Sequence, residues 1–175
     1  MQLPVFILLN FMLCLIPIKG QTSSRLAQMD SCKYRLIVTM HTAGGDSTVM
    51  AKELRFKVLA LQQADINNDG RMEFLLKVSK KTVLDPTERV RINIFKIENQ
   101  KIVPMWLSSF MPHPLYDFEV KHTSGNVTVL TIELEQNGNF MVSEYKWHSF
   151  GLKFMRYIQR NISLQEAHNI ITQSL

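Results

Sequence analysis

Alternation of apolar and polar residues is the sequence feature that most restricts how this chain can fold. In residues 89–97 (RVRINIFKI), Val90, Ile92 and Ile94 alternate with polar residues. Successive side chains of a strand point to opposite faces, so this period of two presents one apolar face to a core. The same pattern recurs in residues 33–40, 54–61, 73–78, 126–134 and 141–150. The sequence therefore predicts a mostly β fold built from antiparallel sheets.

Turn and cap signals divide the chain between these segments. The Asn137-Gly138 pair gives the strongest hairpin signal, because both residues of a tight turn tolerate positive φ. Near the C terminus, Ser163 is followed three residues later by Glu166, which is a capping-box pattern ahead of an apolar segment. We therefore expect one short closing helix at about residues 163–174.

The first twenty residues have the character of a signal peptide. They are apolar from Leu3 to Ile18, with Asn10 and Pro17 as interruptions, and a polar stretch comes directly after them. A run of about 15 residues is short for a membrane-spanning helix, which needs roughly 20. We expect cleavage near Gly20, with a retained anchor as the alternative. No stable membrane span then remains, and the chain is predicted to be exported to a periplasm, a cell surface or the medium.

These boundaries also set the domain organisation. We assign residues 1–20 to the signal peptide, 21–32 to a polar linker and 33–175 to a single β-rich domain. Removal of the signal leaves Cys32 as the one thiol, which excludes an internal disulfide and leaves a hydrophobic core as the source of stability. The net charge of +5 falls to +4 without Lys19, and the basic residues are scattered. Nucleic acid is therefore not an expected partner.

One segment carries a recognisable chemical pattern. Side-chain oxygens stand at alternating positions in Asp65, Asn67 and Asp69, Gly70 permits a sharp turn, and Glu73 lies three residues further on. Calcium takes six to eight oxygen ligands, which such a loop can direct towards one point. The sequence therefore predicts a site for one calcium ion, and the alternative is an Asx-rich turn that needs no ion. The predicted metal-binding residues are Asp65, Asn67, Asp69, Arg71 and Glu73.

The residues after the acidic turn indicate which family this loop resembles. An EF-hand places a bidentate glutamate at the twelfth position, which here is Leu76, and lies between helices. Residues 65–76 resemble instead the calcium loop of FG-GAP or VCBS-type β-propeller repeats, in which a DxNxDG turn precedes an acidic residue and an apolar strand. Glu73 departs from the aspartate usual there. The resemblance is clear over residues 61–106, and Gly125 precedes a second candidate strand much as Gly70 precedes the first.

The resemblance has implications for fold and partners. It implies antiparallel sheets resembling two to three propeller blades, in which the ion stiffens a loop and does not catalyse a reaction. It also implies a scaffold for protein or carbohydrate ligands. Two or three blades leave edge strands unpaired, so a homo-oligomer formed through those edges is a further expectation.

Histidines and aromatic residues offer weaker candidates. The five histidines lack zinc-site spacing and no G-x-S-x-G elbow is present, so we predict no enzyme. The alternative is a small secreted hydrolase or inhibitor acting through loops near His113 and His122, with Asp117 or Glu119 as the carboxylate. An aromatic platform for a sugar or peptide is a further candidate, although we favour a core role for its members: Trp106, Tyr116, Tyr145 and Trp147.

Overall fold

The computed structural model describes residues 21–42, 44–83, 85–107, 111–123 and 125–173, which form eleven strands and one helix. The predicted signal peptide lies outside these residues. The strands are β1 (Thr22–Gln28), β2 (Tyr34–His41), β3 (Ser47–Leu54), β4 (Lys57–Ala64), β5 (Glu73–Lys80), β6 (Arg89–Glu98), β7 (Lys101–Leu107), β8 (Leu115–Thr123), β9 (Asn126–Leu134), β10 (Phe140–His148) and β11 (Gly151–Ile162), and the helix is α1 (Leu164–Thr172).

The strands form three antiparallel sheets in which chain neighbours pair. The first sheet contains β1–β3, the second β4–β7 and the third β8–β11. The prediction of a mostly β fold with antiparallel sheets and a short C-terminal helix is confirmed. Each sheet is thus a local meander, and only packing between sheets connects distant parts of the chain.

Side-chain alternation in β5 shows how the sheets stack face to face. Phe74, Leu76 and Val78 point to the first sheet and join one core cluster with Leu36 of β2. Leu75 points the other way and joins a second cluster that reaches the third sheet. All four of these β5 residues are fully buried. The second sheet is therefore covered on both faces, which explains its strongly apolar strands.

The second and third sheets are aligned by polar contacts from β4 and β5 to β8. Gln62 of β4 accepts a hydrogen bond from the Val120 backbone N–H of β8 at 2.8 Å. Lys77, which lies opposite Ala60 of β4, forms an ion pair with Asp117 at 2.8 Å. Residue numbers rise in the same direction along both strands, so β4 and β8 end at the same edge of the stack.

Helix α1 covers the outer face of the third sheet. Ala167 and Ile171 pack against Ile132 in a third core cluster. The Ser163 hydroxyl accepts the Glu166 backbone N–H at 3.3 Å, and the Glu166 carboxylate accepts the Ser163 N–H at 2.9 Å. The capping box and the closing helix are therefore where the sequence predicts them.

Two predicted boundaries are wrong. Residues 21–32 are not simply a polar linker, because Thr22–Gln28 form β1, which pairs with β2 and places Leu26 against the first core cluster. The predicted strand at 54–61 is interrupted, since β3 ends at Leu54 and β4 begins at Lys57. Both differences arise from tertiary pairing that local alternation does not encode.

The hairpin at Asn137-Gly138 forms with a different turn from the one expected. Gly138 has a φ of 85°, but Asn137 is not among the residues with positive φ. The Gly138 N–H donates to the Glu135 carbonyl at 3.1 Å. This is a turn closed by a left-handed glycine, in place of a tight turn with two left-handed residues.

Candidate functional site

The acidic loop comprises residues 65–72 and joins β4 to β5. The last paired residues before and after it are Ala64 and Glu73. The loop therefore lies between two antiparallel strands of one sheet, in contrast to the helices that flank an EF-hand loop.

Side-chain oxygens of the loop point inward and converge. The Asp69 backbone N–H lies 3.0 Å from Oδ1 of Asp65 and 2.9 Å from Oδ1 of Asn67. The second carboxylate oxygen of Asp65 accepts the Gly70 N–H at 2.8 Å, and Oδ1 of Asp69 accepts the Arg71 N–H at 2.8 Å. Three of the predicted metal-binding side chains are thus brought together around the loop backbone.

Left-handed backbone makes this convergence possible. Asn68 has a φ of 58° and Gly70 a φ of 84°. Asparagine and glycine are the residues that adopt this conformation at least cost, so the sequence at 68–70 suits the turn. Each carboxylate oxygen that accepts one N–H keeps a second lone pair. The same geometry therefore serves as an Asx turn and leaves oxygen lone pairs for a cation.

Glu73 lies beneath the loop. Its side chain is 1% exposed, and its Oε2 accepts the Ile66 backbone N–H at 3.0 Å. Burial raises the pKa of Glu73 to about 7, and the nearby charges of Asp69 and Asp65 add to that rise against the lowering effect of the Ile66 bond. Glu73 therefore fixes the base of the loop through its bond to Ile66, and ionisation of its buried carboxyl group is unfavourable.

A cavity of about 540 Å³ opens beside the loop. Asp65, Gly70 and Arg71 line one side, and Thr22 and Met40 of the first sheet line the other. Asp65 is half-buried, while Asp69 and Arg71 are exposed. A small ion can therefore reach the loop from solvent.

The composition of the loop limits how an ion would be held. Within the ranges that the structure describes, no three His, Cys, Asp or Glu side chains form a group that could hold a metal ion. A cation in this loop would therefore need Asn67, main-chain carbonyl oxygens such as that of Arg71, and water, besides Asp65 and Asp69. Such mixed oxygen ligand sets are usual for calcium.

The two histidines of the alternative hypothesis lie far apart. His113 precedes β8 and His122 lies near its end, so the strand from Leu115 to His122 alone contributes about 23 Å of separation at about 3.3 Å per residue. Asp117 pairs with Lys77, and Glu119 accepts a hydrogen bond from Gln62 at 3.0 Å. The structure therefore does not bring His113 and His122 into one cleft.

The four predicted aromatic candidates do not share a surface. Trp106 and Tyr145 are buried in the second core cluster, and Trp147 packs against it. Tyr116 is exposed and its ring contacts Phe140. Two exposed aromatic residues on β11, Phe154 and Tyr157, were missed by the sequence reasoning. The aromatic residues in the segment KFMRYI are the signal that could have found them.

Comparison with known proteins gives no match: no family model matches the chain, nor does any curated protein or solved structure. The resemblance of the acidic loop to propeller-type repeats therefore stays a prediction. In the described part of the chain, no helix has the length and apolar character that a membrane crossing requires.

Proposed function

We propose that this protein is an exported, non-catalytic binding or scaffold domain in which the loop of residues 65–72 takes one calcium ion. The observation that carries the proposal is the convergence of Asp65 and Asn67 oxygens within 3.0 Å of one backbone nitrogen. Asp65, Asn67 and Asp69 are the side-chain ligands, with the Arg71 carbonyl and water completing the shell. Glu73 supports them from below.

Binding of calcium would act on the charges of this loop. Asp65 and Asp69 are two carboxylates within one tight turn, and their mutual repulsion is reduced when a divalent cation binds between them. Because the loop ties β4 to β5 in the sheet that is covered on both faces, an ion here would stiffen the centre of the stack. The three stacked meanders support the proposed relation to propeller-type blades.

Thermal melting with calcium tests the proposal. A ligand that binds only the folded state stabilises it by about 2.7 kcal/mol at one hundred times its Kd. We expect the melting temperature to rise by several degrees at about 10 mM calcium, and by less with magnesium, which prefers a rigid octahedral shell. The absence of any shift with calcium would show that the loop does not bind a calcium ion.

Matched variants locate the effect. Asp69→Asn removes one charge from the loop, and we expect it to abolish most of the calcium-induced shift. Asp30→Asn is the control, because Asp30 also accepts a backbone N–H two residues on, from Cys32 at 2.9 Å, but lies in another turn. Equal calcium responses in the two variants would mean that the ion binds elsewhere.

Export is supported by the apolar run from Leu3 to Ile18. Fusing residues 1–32 to a reporter enzyme tests it separately. We expect secreted reporter whose N terminus, read by mass spectrometry, begins near Gln21. Reporter retained in the cell with residues 1–20 intact would contradict export.

A further inference from the structure

A second cavity lies at the end of the third sheet, opposite to the acidic loop. Its volume is about 370 Å³, and it is lined by His113, Glu135, Gln136, Asn137 and Arg160. These residues come from three places: the segment before β8, the β9–β10 turn and the end of β11. Strand register therefore assembles this cavity from residues that are distant in sequence.

A half-exposed ion pair forms one wall of this cavity, because the Glu135 side chain is buried whereas that of Arg160 is 54% exposed. Glu135 is 8% exposed, and its Oε1 accepts the Arg160 Nε–H at 2.7 Å. Among the described residues, this is the one hydrogen bond of the Arg160 guanidinium and of the Glu135 carboxylate. The terminal N–H groups of Arg160 and the second oxygen of Glu135 are thus left to face a ligand.

Asn137, which also lines the cavity, is held in place before any ligand arrives. Asn161 has a φ of 56°, and its side-chain oxygen accepts the Asn137 amide at 3.0 Å and the Asn139 amide at 2.7 Å. Asn137 in turn accepts the Asn139 backbone N–H at 3.0 Å. Since these side chains are already ordered, binding would cost little conformational entropy.

An aromatic surface adjoins the ion pair. The Arg160 guanidinium lies 4.8 Å from the centre of the Tyr157 ring. The Tyr157 ring lies 4.8 Å from that of Phe154, and both residues are about 40% exposed. A ligand seated on Arg160 would therefore have an aromatic face at its side.

We propose that this cavity binds a neutral sugar ring. Glu135 and Arg160 cancel in charge, which disfavours a strongly charged ligand. The cavity is lined by planar side-chain groups that donate hydrogen bonds, accept them or do both. The neighbouring hydroxyl groups of a sugar can pair with each kind. Tyr157, whose ring lies under the Arg160 guanidinium beside the cavity, would add apolar ring surface next to a pyranose bound there. The volume lies at the small end of the range for ligand sites, which suits one or two sugar rings.

The inference deepens the proposed binding role but does not depend on the calcium ion. Its test is a set of 1H–15N NMR titrations of the full mature chain with glucose, galactose, mannose and N-acetylglucosamine, each to about 50 mM, which covers the weak affinities expected of single sugars. We expect at least one sugar to shift the amide signals of residues 113, 135–137 and 157–160 in a saturable way.

Two variant pairs decide whether the cavity is responsible. We expect His113→Ala and Tyr157→Ala to weaken binding by about tenfold or more, which corresponds to about 1.4 kcal/mol. His122→Ala and Tyr116→Ala are the matched controls at exposed positions outside the cavity and should bind as the unchanged protein does. Thermal melting confirms that each variant is folded.

Several results would overturn the inference. These are the absence of saturable shifts with all four sugars, shifts confined to other residues, and equal losses in His113→Ala and His122→Ala. The outcome is separable from that of the calcium experiment. Calcium stabilisation without sugar binding rejects only the sugar site, and sugar binding without calcium stabilisation rejects only the ion.

Discussion

The second and third sheets make the same chain reversal in different ways. Both are four-stranded meanders, and their first strands, β4 and β8, run in the same direction. Eight residues, 65–72, separate β4 from β5, whereas β8 ends at Thr123 and β9 begins at Asn126. Two residues therefore suffice for this reversal. Ordering extra residues costs conformational entropy, so the acidic loop is longer than turning the chain requires.

The same two sheets differ in what covers them. β5 lies between two sheets, and its Leu75 is fully buried. β9 lies between a sheet and the nine-residue helix α1, and its Leu130 is only half-buried. The second sheet is thus the central layer of the stack. The third sheet has an exposed edge strand that can carry a binding surface.

Truncating one leucine in each sheet should give the largest effect. Leu75→Ala leaves a cavity between two sheets, and we expect a loss of about 3 kcal/mol in the free energy of unfolding. Leu130→Ala should cost about half as much, because its partly exposed site can relax towards solvent. Urea unfolding measures both. Equal losses would show that the helix supports the third sheet as firmly as the neighbouring sheets support the second.

The buried Glu73 should make the second sheet sensitive to pH. Its pKa is raised to about 7 in the folded state, above its ordinary value of 4.5. The proton that it binds therefore favours folding, fully so below about pH 4.5, and this advantage is lost as pH rises through about 7. Since one pKa unit is worth about 1.4 kcal/mol, we expect up to about 3 kcal/mol of stability to be lost between pH 4.5 and 8 in metal-free buffer.

Glu73→Gln is the matched variant for this effect. Glutamine still offers an oxygen to the Ile66 N–H but cannot ionise, so its unfolding free energy should lack this pH dependence. An unchanged pH profile in Glu73→Gln would show that other groups cause the loss.

The alternation of apolar residues predicted strands that overlap β2, β4, β5, β6, β9 and β10. The prediction for β9 has the observed bounds, Asn126–Leu134, because its two faces contact a sheet and a helix without interruption. The sequence missed β11, in which three register shifts against β10 break the period of two. It also missed β3, β7 and β8. It missed β1 because Thr22–Gln28 is mostly polar and is held by pairing with β2.

The candidate loop was more predictable than the second cavity. Asp65, Asn67 and Asp69 lie within five residues, so their spacing and the left-handed Gly70 already bring their oxygens together. His113 and Arg160, by contrast, meet only through the register of the strands of the third sheet. No local pattern marks them, and a single sequence holds no direct sign of such long-range pairing.

Removing the side chain that organises the acidic loop should have a moderate effect. Asp65→Ala deprives the Asp69 and Gly70 backbone N–H groups of their carboxylate partner. Water can replace it in part because the loop is open to solvent, so we expect a loss of about 1.5 kcal/mol in metal-free buffer. Chemical unfolding gives this value, and a calcium titration of the same variant should show no stabilisation. Full calcium stabilisation of Asp65→Ala would show that the ion does not bind in the loop.

The smallest effect is expected at the short turn of the third sheet. Gly125 has a φ of 81°, and a Cβ added there would meet no atom within 4 Å. Gly125→Ala should therefore cost only the backbone penalty for a left-handed L-residue, about 1 kcal/mol. Gly125→Asn should cost less, since asparagine tolerates this conformation, as Asn68 does in the acidic loop with a φ of 58°. If thermal melting shows that alanine is neutral there, the two-residue turn does not depend on glycine. The need for a left-handed residue would then not explain why one turn is short and the other long. The reason for the extra residues of the acidic loop would have to lie in the oxygens of Asp65, Asn67 and Asp69.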